Sequence, residues 1–192
     1  LSIRRQRQMC IRDRSRDYLA QIHKQLGRLT HLEEALLLLS RLDAGILPLK
    51  MEAVDVYTAV SLAADNLQEV FEAAGLSVDI PEMGEMKILA DLDWTMEALM
   101  NLFKNCAEYT PPGGRIHCAC SQNPLYTEII LWDEGKGFDK EDIPHLFERF
   151  YRGKNASGNG IGIGLSLARE IIERQNGTIR AVSVPGKGAA FE

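Results

Sequence analysis

The chain has 192 residues, 45% of them hydrophobic, and a formal net charge of −5, enough for one domain with a full core and an appended element. The densest apolar run, Ala35 to Leu39, is far too short to cross a bilayer, and no signal-peptide pattern opens the chain. A soluble, cytoplasmic protein making no direct membrane contact is therefore expected. Four cysteines, Cys10, Cys106, Cys118 and Cys120, show no Cys-x-x-Cys spacing, so they read as small buried hydrophobes in a reducing compartment and not as zinc ligands.

Residues 4 to 14, RRQRQMCIRDR, are basic and aperiodic, and their back-translation resembles a transposase adapter used in sequencing libraries. Residues 1–14 are accordingly read as an adapter scar and set aside. They hold five Arg against one Asp, a net +4, so the remainder stands at −9 and not −5. A domain this acidic, without a basic patch, argues against nucleic acid as a partner. It also means that a bound polyanion must be held by backbone amides, a metal and a few local cations.

From Ser15 to Ala44, apolar residues recur at Leu19, Ile22, Leu26, Leu29, Leu32, Leu36 and Leu39, one stripe of a long helix, with Gly45 and Pro48 as its stop. Residues 15–45 are thus a helical element suited to packing against a partner, and residues 46–192 a separate α/β domain. In that domain the pattern predicts a strand at Leu49 to Val54, then a helix at Thr58 to Ala74 stopped by Gly75. Short strands follow at Leu76 to Ile80 and Met86 to Leu89, then a helix capped by Asp91 and running to Glu108. Strands at Ile116 to Cys120 and Thr127 to Trp132, a helix from Ile163 to Gln175, and strands at Thr178 to Val184 and from Ala189 complete the pattern. Phe191-Glu192 read as lying inside the last strand. The expected fold is a two-layer α/β sandwich, an open mixed sheet with helices on one face.

Three constellations carry chemistry. Asn101 and Asn105, four apart on one helix face, can aim two carboxamides at a cation or phosphate, although alone they are an ordinary polar face. Asp133-Glu134-Gly135-Lys136-Gly137 follows an apolar strand: a carboxylate there can accept from an exocyclic amine while the glycines admit a flat ring. It is no EF-hand, since loop positions six and twelve are Phe138 and Pro144. Gly158-Asn159-Gly160-Ile161-Gly162-Ile163-Gly164-Leu165 opens into a helix, where free amides and the helix N-terminus suit an anion. It matches neither the dinucleotide fingerprint nor a Walker loop.

In this order, NLFKNCAEYTPPGG, DEGKG and GNGIGIGL resemble the N, G1 and G2 boxes of the sensor histidine kinase ATP-binding domain. Ile143 to Arg152 resembles the F box, and Leu39 to Gly45 the end of the second dimerisation helix. The resemblance implies a Bergerat-type ATP-binding fold that uses ATP and Mg2+, a homodimer through the dimerisation helices, and a response regulator receiver domain as partner. It implies that Asn105 holds the magnesium with support from Asn101, that Asp133 reads the adenine amine between Gly135 and Gly137, and that Tyr109 lies beside the base. Arg149 and Arg152 would stand near the phosphates, and Gly160, Gly162, Gly164 and Leu165 would close over them, residues 135–160 forming a lid. Related ATPases carry a Glu where this chain has Asn101, and an amide cannot take a proton from water, which favours transfer to a side chain over hydrolysis.

One departure is Glu108, where the family often has Lys; it is expected to point outward, toward Lys104. Neither His23 nor His31 is followed by the acid and proline of a phosphoacceptor box, so both read as surface positions, and the acceptor is expected upstream of residue 15, with a membrane anchor there. The implied function is transfer of the ATP γ-phosphate to a histidine on the dimerisation domain. The alternatives are a regulatory module that binds nucleotide without transfer, or an anti-sigma-type serine kinase.

Overall fold

The computed structural model describes residues 18–19, 21–23, 25–27, 29–30, 32–41, 44–45, 48–82, 84–153, 160–184 and 188–192. The adapter-like segment, Cys10, His31 and Lys154 to Asn159 lie outside the described residues. The chain divides into two compact units between residues 47 and 48.

In the first unit, every described residue between 18 and 41 is helical. Leu19, Ile22, Leu26, Leu29 and Leu36 of the predicted stripe are exposed, whereas Leu39 is buried. Gly45 takes the left-handed conformation (φ 66°). His23 is exposed, and its Nδ1 donates to the Leu19 carbonyl at 3.2 Å.

The second unit runs β1 (Glu52–Asp55), α1 (Val56–Asp65), α2 (Gln68–Ala74), β2 (Ser77–Asp79), β3 (Lys87–Ala90), α3 (Leu92–Tyr109), β4 (Arg115–Gln122), β5 (Thr127–Asp133), α4 (Gly164–Arg174), β6 (Ala181–Val184) and β7 (Gly188–Phe191). The helix expected from Thr58 to Ala74 is two helices. At the break the Asn66 side chain donates to the Leu62 carbonyl at 2.8 Å, competing with the backbone ladder, and Leu67 turns into the core. Gly75 ends α2 at φ 68°, with Leu76 N–H donating to the Phe71 carbonyl.

The strands also divide. β1 and β3 pair only with each other among the described residues, while five strands form the main sheet in the order β2-β4-β5-β7-β6. Only β2 and β4 are parallel in it. Period-two patterning reports which residues share a face but not which strand lies alongside, so the separation was not visible in the pattern.

α3 is the spine of the helical layer, packing on β4 and β5 and flanked by α1 and α4. Phe103, Cys106, Ile116, Leu131, Ile171 and Phe191 are almost completely buried between the layers, and the rings of Phe71 and Phe103 meet edge to face at 6.0 Å. Truncating Phe103 would cost about 3–5 kcal/mol. The alternation of β4 puts Cys118 on this buried face and His117 on the opposite one, where it stacks on Trp132 at 5.0 Å.

Candidate functional site

Asp91 starts α3: its Oδ1 accepts from Trp94 N–H at 3.1 Å, as expected of an N-cap, while Oδ2 accepts from Lys50 N–H at 2.7 Å. The far half of α3 forms one wall of a cleft of 1010 Å³, in the range of small-molecule sites. Asn101, Lys104, Asn105, Glu108 and Tyr109 all line it.

Asn105 Oδ1 is buried and has no hydrogen-bond partner. A buried acceptor left unmatched costs about 1–3 kcal/mol, so it marks a place where a donor or cation belongs. Asn101 is placed differently. Its Nδ2 donates to the Glu97 carbonyl at 2.8 Å and to Glu97 Oε1 at 3.0 Å, which turns its Oδ1 toward Gly164 at the start of α4. Asn101 thereby packs against the start of α4. Glu97 escaped the sequence reading; the signal available was its i, i+4 spacing to Asn101.

The floor is built from the end of β5. Asp133 is 1% exposed, and its Oδ1 accepts from Gly135 N–H at 2.7 Å and from Ala189 N–H at 3.3 Å. Burial holds its carboxyl above the usual range, and the two amide bonds oppose that rise. A β-carbon on Gly135 would stand 2.5 Å from the Tyr109 carbonyl oxygen, so only glycine lets the loop pass the end of α3. Gly135 and Gly137 line the cleft, whereas Asp133 is buried next to them and is not among the lining residues. Phe138 meets Tyr109 at 6.3 Å and Phe191 at 5.8 Å, both edge to face, and its backbone N–H donates to Ser183 Oγ at 2.6 Å. This aromatic stack supplies an apolar side, and Ser183, forty-five residues from Phe138, had no local signal. Tyr109 is raised above its ordinary value by burial and then by the charge of Glu108, against the opposing Arg152.

The opposite wall is the glycine loop. Gly160, Gly162, Gly164 and Leu165 all line the cleft. Gly162 is left-handed (φ 77°), and a β-carbon there would stand 2.5 Å from the Tyr151 carbonyl. Its own carbonyl accepts from Phe150 N–H at 2.8 Å. Ile163, the residue capping α4, gives no side-chain hydrogen bond to the first turn, which leaves those amides available to an anion.

Of the two arginines, Arg152 lines the cleft, whereas Arg149 is exposed and not among the lining residues. Asp142 and Tyr151 line it as well: the tyrosine hydroxyl donates to buried Asp142 Oδ1 at 2.6 Å, pushing the Tyr151 hydroxyl up to about 12. Glu108 departs from expectation. It faces the cleft, and among the described residues it forms no ion pair with Lys104. Its position on α3 follows that of Asn105 by one turn, so the helix that aims Asn105 inward also aims Glu108.

Residues 90–192 match the family described as histidine kinase-, DNA gyrase B- and HSP90-like ATPase. The chain belongs to that ATPase family. Its similarities run to the histidine kinases of the group. It is 32% identical over 197 residues to the sensor protein SphS of Synechococcus elongatus, covering 94% of this chain and 47% of SphS. It is 29% identical over 175 residues to the signal transduction histidine-protein kinase BaeS of Escherichia coli K12, covering 90% of this chain and 38% of BaeS. The chain thus spans less than half the length of these curated relatives. Its fold is that of the histidine kinase ThkA, solved in complex with the response regulator protein TrrA, with a TM-score of 0.66 at 17% identity over 84% of this chain and 47% of that one. This ATPase domain supports ATP as the ligand, and among the described residues no helix is long and apolar enough to cross a membrane.

Proposed function

We propose that this ATPase-family domain is the kinase module of a sensor histidine kinase, positioning Mg-ATP so that its γ-phosphate passes to a histidine of the dimerisation domain and on to a response regulator. The observation that carries the reading is Asn105 Oδ1, a buried and unmatched acceptor facing the glycine loop across the cleft. An amide oxygen in that place fits a hard cation such as Mg2+. When bound, Mg-ATP supplies the phosphoryl group and the charge that neutralises it.

The chain's own residues supply position. Asp133 offers its carboxylate from the floor to the adenine amine, Gly135 and Gly137 admit the ring, and Tyr109 with Phe138 flanks it. Gly160 to Leu165 present amides to the phosphates, with Arg152 as a local cation. Asn101 is bonded to Glu97 and has no basic oxygen to activate water, and Glu97 is not among the lining residues, which favours transfer over hydrolysis. The response regulator partner is supported by the ThkA likeness, and the dimer by the leucine stripe. Cytoplasmic placement, with an anchor elsewhere in a longer protein, belongs to the same proposal.

A titration with a fluorescent ATP analogue tests it, with ATP and GTP as competitors. Magnesium-dependent binding that ATP displaces better than GTP is expected, because the six position of guanine carries an acceptor that Asp133 cannot satisfy. Equal displacement by the two nucleotides, or no binding, would overturn the reading.

A further inference from the structure

The cleft contains a carboxylate in the wrong place for a polyanion. Glu108 is exposed at the mouth, and its Oε2 would lie 3.5 Å from a β-carbon on Gly160, so it stands against the loop proposed to hold the triphosphate. Its charge is felt inside the site, since it raises the neighbouring Tyr109 hydroxyl. Lys104 does not pair with it among the described residues, so its charge stays directed at the cleft. A carboxylate facing phosphates without a cation between them repels them; with a divalent cation between them, both become ligands.

Asn105 and Glu108 are three residues apart on α3, and both line the cleft. We propose that Glu108 is a second protein ligand for the divalent cation of the nucleotide, forming with Asn105 Oδ1 a two-oxygen edge that makes nucleotide binding obligatorily cation-dependent. This rests on the ATP reading above. Mg2+ takes six oxygens, and among the described residues no group of three or more His, Cys, Asp or Glu side chains is placed to hold a metal. Two protein oxygens leave four positions for phosphate oxygens and water. Cation and nucleotide therefore enter as a pair, each supplying what the other lacks. Glu108 excludes the bare triphosphate and admits the metal complex, a selection that Asn105, being neutral, cannot make.

The test measures the affinity of a fluorescent ATP analogue with Mg2+ and with EDTA in the parent chain, Glu108→Gln and Glu108→Lys. The parent should show a ratio of about 100 or more between the two conditions, and Glu108→Gln a ratio about tenfold smaller. Glu108→Lys should bind the metal-free nucleotide at least about tenfold more tightly than the parent does. Electron paramagnetic resonance of Mn2+ gives a second readout: with ATP present, Glu108→Gln should hold Mn2+ about tenfold more weakly. Because Glu108 is exposed, both variants should keep the parent's circular dichroism, and if one unfolds the other still decides. A ratio of affinities that stays the same in a folded variant, or unchanged Mn2+ affinity, overturns the role of Glu108 while leaving ATP binding intact. A parent that binds no nucleotide in either condition overturns the ATP reading and this inference with it.

Discussion

The floor of the cleft and its mouth are built by opposite means. Around Asp133, backbone packs on backbone: Gly135 passes under the Tyr109 carbonyl, Gly188 rests on the Asp133 carbonyl, and one carboxylate oxygen takes two amides. Around Glu108, Lys104, Arg152 and Gly160 the surface consists of exposed charges and a glycine, Gly160, that has room for a β-carbon. The shape of the floor is therefore part of the folded core and changes only if the fold does. The mouth is set by exposed charged side chains and not by backbone packing.

The sharpest way to break this contrast is to add the same methyl group at each end. A β-carbon on Gly188 would overlap the Asp133 carbonyl, at a left-handed φ of 99°. Gly188→Ala should cost about 3 kcal/mol or more in denaturant unfolding. Gly160→Ala meets only ordinary contact at 3.5 Å and should change stability by less than about 0.5 kcal/mol. Equal losses would show that floor and mouth are equally rigid.

Next in size are two binding effects. Asn105→Ala removes the unmatched acceptor, so binding of the ATP analogue with magnesium should fall by about 2 kcal/mol, roughly 30-fold, and its magnesium dependence should weaken while Glu108 still disfavours the metal-free nucleotide. Unchanged affinity by titration would remove the metal from that position. Asp133→Asn should weaken ATP by a similar amount, about 2 kcal/mol, by replacing a charged acceptor.

Stability should respond in the opposite sense. Asp133 is raised above its ordinary value by burial, so the folded chain holds this proton more tightly than the unfolded chain. Its ionisation therefore destabilises the fold progressively as pH rises above about 4 and through the raised folded value. Asp133→Asn removes that penalty, and its stability relative to the parent should improve between pH 4 and 7 while ATP affinity falls. Parallel loss of both would mean that the carboxylate is needed for the floor itself.

How much of this could be read from the chain depended on whether the signal was local. The N-cap at Asp91, the Asn101–Asn105 face and the glycine-rich opening of α4 are all short-range patterns, and the structure brings the last two to one cleft. Contacts across the sheet left no such trace. The Phe138–Ser183 bond and the Ala189 amide on Asp133 join β5 and its loop to strands some fifty residues later. The split of β1 and β3 from the main sheet is a matter of pairing, which alternation does not encode. Glu108 was misplaced for a different reason: a charge is ordinarily assigned to solvent, yet its helical phase relative to Asn105 already pointed it at the site.

The smallest effect lies at the rim. The Tyr151 hydroxyl is pushed up to about 12 by its bond to Asp142. This bond stabilises the fold below the ordinary tyrosine value of about 10 and is lost as pH rises through the folded value. The parent should lose stability between pH 10 and 12 relative to Tyr151→Phe, measured by thermal unfolding across that range. Coincident curves would show that the Tyr151–Asp142 bond adds nothing to the stability of the fold.

The bond from Phe150 N–H to the Gly162 carbonyl has a consequence for where this chain can accept added length. It ties together the two chain positions that bracket the segment leading into the glycine loop. Once such a stem is fixed, the added entropy of closing a longer loop grows only logarithmically, about 0.6 kcal/mol for each doubling. An insertion within the stretch closed by this bond should therefore cost less folding stability than the same insertion between Asp133 and Phe138, which would pull the floor apart. Added length should be tolerated better on the glycine-loop side of the cleft than on the floor side.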